Sequence, residues 1–119
     1  MNCTVLPLTA DPRQILTLSP VIDGESLRAR IEVRYLTGPD VWVISIWNDA
    51  SGELLVNQIP LIVSVGWPND LLFPFRYKRD GKGLGTLLCI PAVDEPSSQD
   101  PGKDNLSEFA VMWCDTYDQ

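Results

Sequence analysis

The clearest pattern along this chain is an alternation. From Leu27 to Leu36, LRARIEVRYL, the apolar positions Leu27, Ala29, Ile31, Val33 and Tyr35 take turns with Arg28, Arg30, Glu32 and Arg34. A period of two sends the two sets to opposite faces, so this segment predicts a half-buried strand with a charged outer face. Upstream, Arg13–Ser19 reads as a preceding strand, and Asp23-Gly24 is a turn pair that folds it back antiparallel onto Leu27–Leu36. Downstream, Gly38-Pro39-Asp40 turns the chain into VWVISIW, Val41–Trp47, whose β-branched and aromatic run predicts a strand covered on both sides. Asn48–Glu53 supplies the next hairpin loop. Leu54–Ile59 is the fourth strand, ended by Pro60, which has no N–H to give a ladder.

Beyond Pro60 the pattern is broken more often. Leu61–Val65 extends the strand across a kink, Trp67–Asp70 must turn, and Leu71–Tyr77 is apolar but interrupted by Pro74, as an edge strand or an extended loop is. A tip rich in glycine and charge, Lys78–Gly83, leads to a strand at Thr86–Ile90 that Pro91 ends. The segment Asp94–Asn105 is polar and rich in Pro and Ser, and Leu106–Cys114 then returns to alternation with Phe109, Val111 and Trp113 on one face. Ten prolines and eight glycines leave no window of twelve residues with a clear 3.6-residue apolar period, so helix is nearly absent. The expected fold is all-β: an antiparallel sandwich or small barrel of about seven strands with long loops, in one domain over 1–119. Residues 1–12 are expected as an extended N-terminal arm and 94–105 as an acidic loop.

Composition removes most chemistry. With no histidine among 119 residues, Ser-His-Asp and Cys-His catalysis and every histidine-based metal site are excluded. The net charge of −7 argues against a nucleic-acid partner, whose affinity comes from neutralising phosphates. No run of about 18 apolar residues offers a membrane-spanning helix. The charge is uneven: residues 1–93 carry 9 acids against 8 bases, and residues 94–119 carry 7 acids against Lys103 alone. This acidic last quarter is either a solvated loop and tail or a surface matched to a basic partner. Cys3, Cys89 and Cys114 have no CxxC spacing and nothing before them resembles a secretion signal, so reduced, partly buried thiols in a cytoplasmic protein are expected.

The remaining constellations are weak. Asp94 with Glu95, and Asp100 with Asp104, are close in sequence, but acid–base work needs a carboxyl group moved by burial or a neighbour. The same four supply hard oxygen ligands, yet at no recognisable calcium-loop spacing. Gly81, Gly83 and Gly85 stand near Arg79 and Lys82 without either phosphate-binding spacing, so the tip reads as an exposed basic cluster of Arg76, Lys78, Arg79 and Lys82. Cys89 and Cys114 lie in apolar β segments with no activating base. Of the four tryptophans, Trp113 reads as core and Trp67, beside Pro68 at a turn, as an exposed interface anchor.

Four blocks in order resemble the small baseplate plug proteins of contractile-tailed bacteriophages. They are Leu6-Pro7-Leu8-Thr9-Ala10-Asp11-Pro12-Arg13-Gln14, the hairpin from Asp23-Gly24 through Tyr35, the block Trp42 through Leu61, and Asp100-Pro101-Gly102-Lys103-Asp104-Asn105-Leu106 before a terminal strand. The resemblance covers most of residues 6–117, with 67–82 departing from it. It implies a β-rich virion protein of the tail baseplate, assembled in the host cytoplasm, without catalysis, cofactor, metal or small-molecule substrate. Its partners would be hub, spike, tail tube and copies of itself. The candidate interface residues are Trp67, Leu71, Leu72, Phe73, Phe75, Arg76, Lys78, Arg79 and Lys82 of the arm and tip, and Asp94, Glu95, Asp100 and Asp104 of the acidic loop. A sandwich module binding a carbohydrate or small ligand, with Trp42, Trp67 or Trp113 as the stacking ring, is the competing expectation.

Overall fold

A computed structural model of the chain describes residues 3–64, 70–72, 84–96 and 100–115. The alternating segments become strands because each has one apolar face to bury. The strands are β1 (Cys3–Val5), β2 (Arg13–Leu18), β3 (Val21–Ile22), β4 (Glu25–Ser26), β5 (Ala29–Leu36), β6 (Val41–Asn48), β7 (Leu54–Pro60), β8 (Thr86–Pro91) and β9 (Phe109–Cys114). They form a four-stranded sheet in the order β2-β5-β6-β7, a three-stranded sheet in the order β1-β9-β8, and the two-stranded ribbon β3-β4. All of these pairings are antiparallel. Among the described residues neither larger sheet closes on itself, so the architecture is a sandwich and not a closed barrel.

Register explains the packing. Ile31 lies opposite Leu16 and Ile46, and Val33 opposite Gln14 and Ile44, so one face of the larger sheet is a continuous apolar surface. Leu87, Cys89, Val111 and Trp113 present the matching face of the smaller sheet, and both sets belong to one buried cluster. Fully burying each such side chain contributes about 1.5–3 kcal/mol. β6 is covered on both sides, as its apolar run predicts: residues 42–46 are all buried. Its outward-facing Ser45 is used by the neighbouring strand. Gln58 adopts φ 50° in a bulge of β7 and donates its N–H to Ser45 Oγ at 3.0 Å.

The turns follow the glycine and aspartate positions. Asp23 and Gly24 both take left-handed φ, 53° and 83°, the combination a two-residue hairpin turn requires. That turn is fastened at a distance, since the Asp23 N–H donates to Asp115 Oδ1 just after β9. Gly85 answers a tighter demand: at φ 81°, a Cβ there would stand 2.4 Å from the Cys114 carbonyl oxygen and 2.7 Å from Ile22 Cγ2. Only glycine lets the chain pass between β9 and the hairpin.

The N-terminal segment starts on the smaller sheet: Cys3–Val5 pair with β9, and Leu6 is 4% exposed and donates its N–H to the Val111 carbonyl. One expectation changes. The thiols are not all reduced, because Cys3 and Cys114 form a disulfide. Antiparallel pairing of β1 with β9 sets these two residues directly opposite, and the 111 residues between them hide the match from any local spacing rule. Cys89 is the free, buried cysteine.

Candidate interaction surfaces

Loop 100–105 is held to the sandwich from within. Trp42, 1% exposed on the inner face of β6, donates its indole N–H to the Gly102 carbonyl at 2.6 Å, and its ring meets Tyr35 with centroids 5.5 Å apart. Asp100 Oδ1 accepts the Val63 N–H at 2.9 Å, and Asn105 Oδ1 accepts the Gly102 N–H at 2.6 Å. Tyr35 donates its hydroxyl proton to Asp40, and this bond, with lesser contributions from desolvation and the charges of Asp40 and Asp104, pushes the phenol up to about 12. Tyr35, Trp42, Lys103 and Asp104 line a surface depression of about 320 Å³. Trp113, 1% exposed, donates to the Leu84 carbonyl at 2.6 Å. Neither Trp42 nor Trp113 presents a ring face for a sugar to stack on.

The candidate interface residues therefore divide. Asp94 and Glu95 are exposed in the loop after β8, as is Asp104, whereas Asp100 is half-buried and bonded to the Val63 backbone. Leu71 is half-buried against the core and Leu72 is 0% exposed within it. Trp67, Phe73, Phe75, Arg76, Lys78, Arg79 and Lys82, and with them the expected arm and basic tip, lie outside the described residues. No group of three or more acidic or cysteine side chains poised for a metal occurs among the described residues. Burial, and secondarily the Asp100 charge, pushes the Cys89 thiol up to about 12, far from a thiolate nucleophile.

Alternation alone does not single out the outer face of the four-stranded sheet as a surface with a character of its own. Arg13 pairs with Glu32 at 3.2 Å, and Arg28 with Asp49 at 3.1 Å. Exposed pairs of this kind are worth about 0–1 kcal/mol, so they orient side chains more than they hold the fold. Arg30 lies over the Trp47 ring, 4.9 Å from its centroid. The sequence signal was present, in the arginines that alternate along Leu27–Leu36 and in the tryptophan that ends VWVISIW. What it lacked was the register that sets Arg30 beside Trp47.

Another internal fastening also escaped sequence reasoning. Gln14, 9% exposed on the inner face of β2, accepts the Thr9 N–H at 2.8 Å and donates to the Thr9 and Asp11 carbonyls at 2.9 and 3.0 Å. One side-chain amide thus fixes the turn of the Leu6–Gln14 block. A search of curated proteins found no match to the chain. The model of the family described as cyanophage baseplate Pam3 plug gp18 matches residues 4–117. With nearly the whole chain matched, from β1 to beyond β9, the chain belongs to this family of phage baseplate plug proteins.

Proposed function

We propose that the chain is a non-catalytic plug at the tip of a contractile tail, several copies of which join tail tube, hub and spike around the tail axis. The observation that carries this reading is the family match over residues 4–117. The physical character of the fold supports it. Polar and thiol groups at and near the core are bonded or held inward: half-buried Asp100 on a backbone N–H, buried Trp42 on a carbonyl, and buried Cys89 as a neutral thiol. The outward groups are arginines, carboxylates and scattered apolar side chains, which suit contact with proteins. In this reading Trp67, Leu71, Phe73 and Phe75 supply an apolar arm, Arg76, Lys78, Arg79 and Lys82 a basic docking tip, and Asp94, Glu95 and Asp104 an acidic surface for a basic partner. Assembly takes place in the host cytoplasm, with proteins as the partners and neither nucleic acid nor membrane required.

The test is reconstitution. Hub, spike and tube proteins of the same phage, mixed with and without this chain, should form a closed tip complex only when it is present, with the chain co-migrating in size-exclusion chromatography. A chain that migrates alone, with the other components assembling normally without it, would overturn the proposal.

A further inference from the structure

The outer face of the four-stranded sheet is basic and partly apolar on a protein whose net charge is −7. Across it, Arg30 and Trp47 face each other in register, with Leu54 opposite Trp47 on the far side. Ile15 and Leu54 on this face are 59% and 40% exposed. Glu32 neutralises Arg13, while Arg30 and Arg34 have no carboxylate partner among the described residues. Arg34 also stands directly opposite Arg13 in the ladder, so a carboxylate laid against this end of the face meets two guanidinium groups, one of them already paired with Glu32.

The chain carries such a group elsewhere. Asp94 and Glu95 form an exposed acidic corner after β8 with no ion-pair partner among the described residues. The corner leaves the smaller sheet at the end of β8, whereas Arg30 and Arg34 lie on the face of the larger sheet turned away from the buried cluster. The loop that follows the corner is fastened at 100–105 to Trp42 on the inner face, while Arg30 and Arg34 alternate onto the outer one. Complementary patches that one molecule cannot close on itself can close between molecules.

We propose that the Asp94–Glu95 corner of one copy docks on the Arg30/Arg34 face of a second copy, with Trp47, Ile15 and Leu54 covered beside the charges. The contact is head-to-tail, the kind that generates a ring when its rotation closes. It rests on the multi-copy plug reading above and names the surface through which copies meet.

Sedimentation velocity on the full chain tests it. Wild-type self-association should weaken steadily as salt rises. R30E/R34E and, separately, D94K/E95K should each lower the association constant by about tenfold or more, and the two sets combined in one chain should restore it. Ile15→Asp, on the same face, should also weaken association. Melting temperatures close to wild type show that each variant is folded, and Ile15→Asp keeps the test open if an arginine variant is not. Self-association indifferent to salt, a charge swap that fails to restore it, or a chain that stays monomeric yet enters tip complexes would overturn this contact and leave the plug reading standing. Salt-sensitive association with swap rescue, in a chain that never enters tip complexes, would support the contact and overturn the plug reading instead.

Discussion

Replacing Trp42 by Phe separates an internal fastening from a ligand-stacking ring. Trp42 is 1% exposed and its indole N–H is bonded to the Gly102 carbonyl, so Phe removes that bond and leaves space where the five-membered ring was. The lost hydrogen bond accounts for about 0.5–1.5 kcal/mol. The lost apolar contact and residual cavity add roughly 1–2 kcal/mol. For a chain of this length, 1 kcal/mol moves the melting temperature by about 4 °C, so the expected drop is roughly 6–14 °C. Circular dichroism melts give the number, and amide hydrogen exchange gives the place: protection should fall at 100–105, where the loop loses its anchor, with β5 retained. Fluorescence quenching of the folded wild type should leave Trp42 largely inaccessible. A melting temperature within about 3 °C of wild type, with a quenchable Trp42, would refute the fastening and reopen the carbohydrate-binding alternative.

Other perturbations have equally definite outcomes. Gly85→Ala forces a Cβ against the Cys114 carbonyl in a left-handed backbone and should destabilise by roughly 2–5 kcal/mol in chemical denaturation, so near-wild-type stability would contradict the close approach. Cys89 stays a neutral thiol in the folded protein up to about 12, while in the unfolded chain it ionises from 9.0, so the unfolded state holds fewer protons in that window and stability falls as pH rises through it. In Cys89→Ala the fall should be shallower but still present, because Tyr35 is raised in the same direction; an unchanged slope would contradict the assignment. Cys3→Ser opens a cross-link spanning 111 residues and should lower stability by roughly 2–5 kcal/mol. Reductant should lower the wild-type melting temperature but not that of the variant, and a wild type indifferent to reductant would argue against the bond.

What the sequence makes legible follows from how each feature is encoded. β5 and β9 are visible because burying one face writes a period of two into consecutive residues, and β6 because burial on both faces writes a continuous apolar run. The Asp23-Gly24 turn is visible because left-handed backbone selects those residues. Features that depend on which strand lies beside which are not written locally. The Cys3–Cys114 bond, the Gly85 approach to β9 and the seat of Ser45 under the β7 bulge each join segments far apart or out of step in the chain. The acidic loop illustrates the same limit. Composition marks Asp94, Glu95, Asp100 and Asp104 as equivalent, whereas the fold sets Asp100 on the Val63 backbone and leaves Asp94 and Glu95 exposed.

The most direct measurement of the central claim is a map of the tail tip in intact virions of the phage that encodes this chain, with the chain carrying a small density marker. The account predicts several symmetry-related copies around the tail axis, each with its two-sheet core in contact with protein on more than one side. Virions whose tail tip is complete but lacks the marker would contradict it.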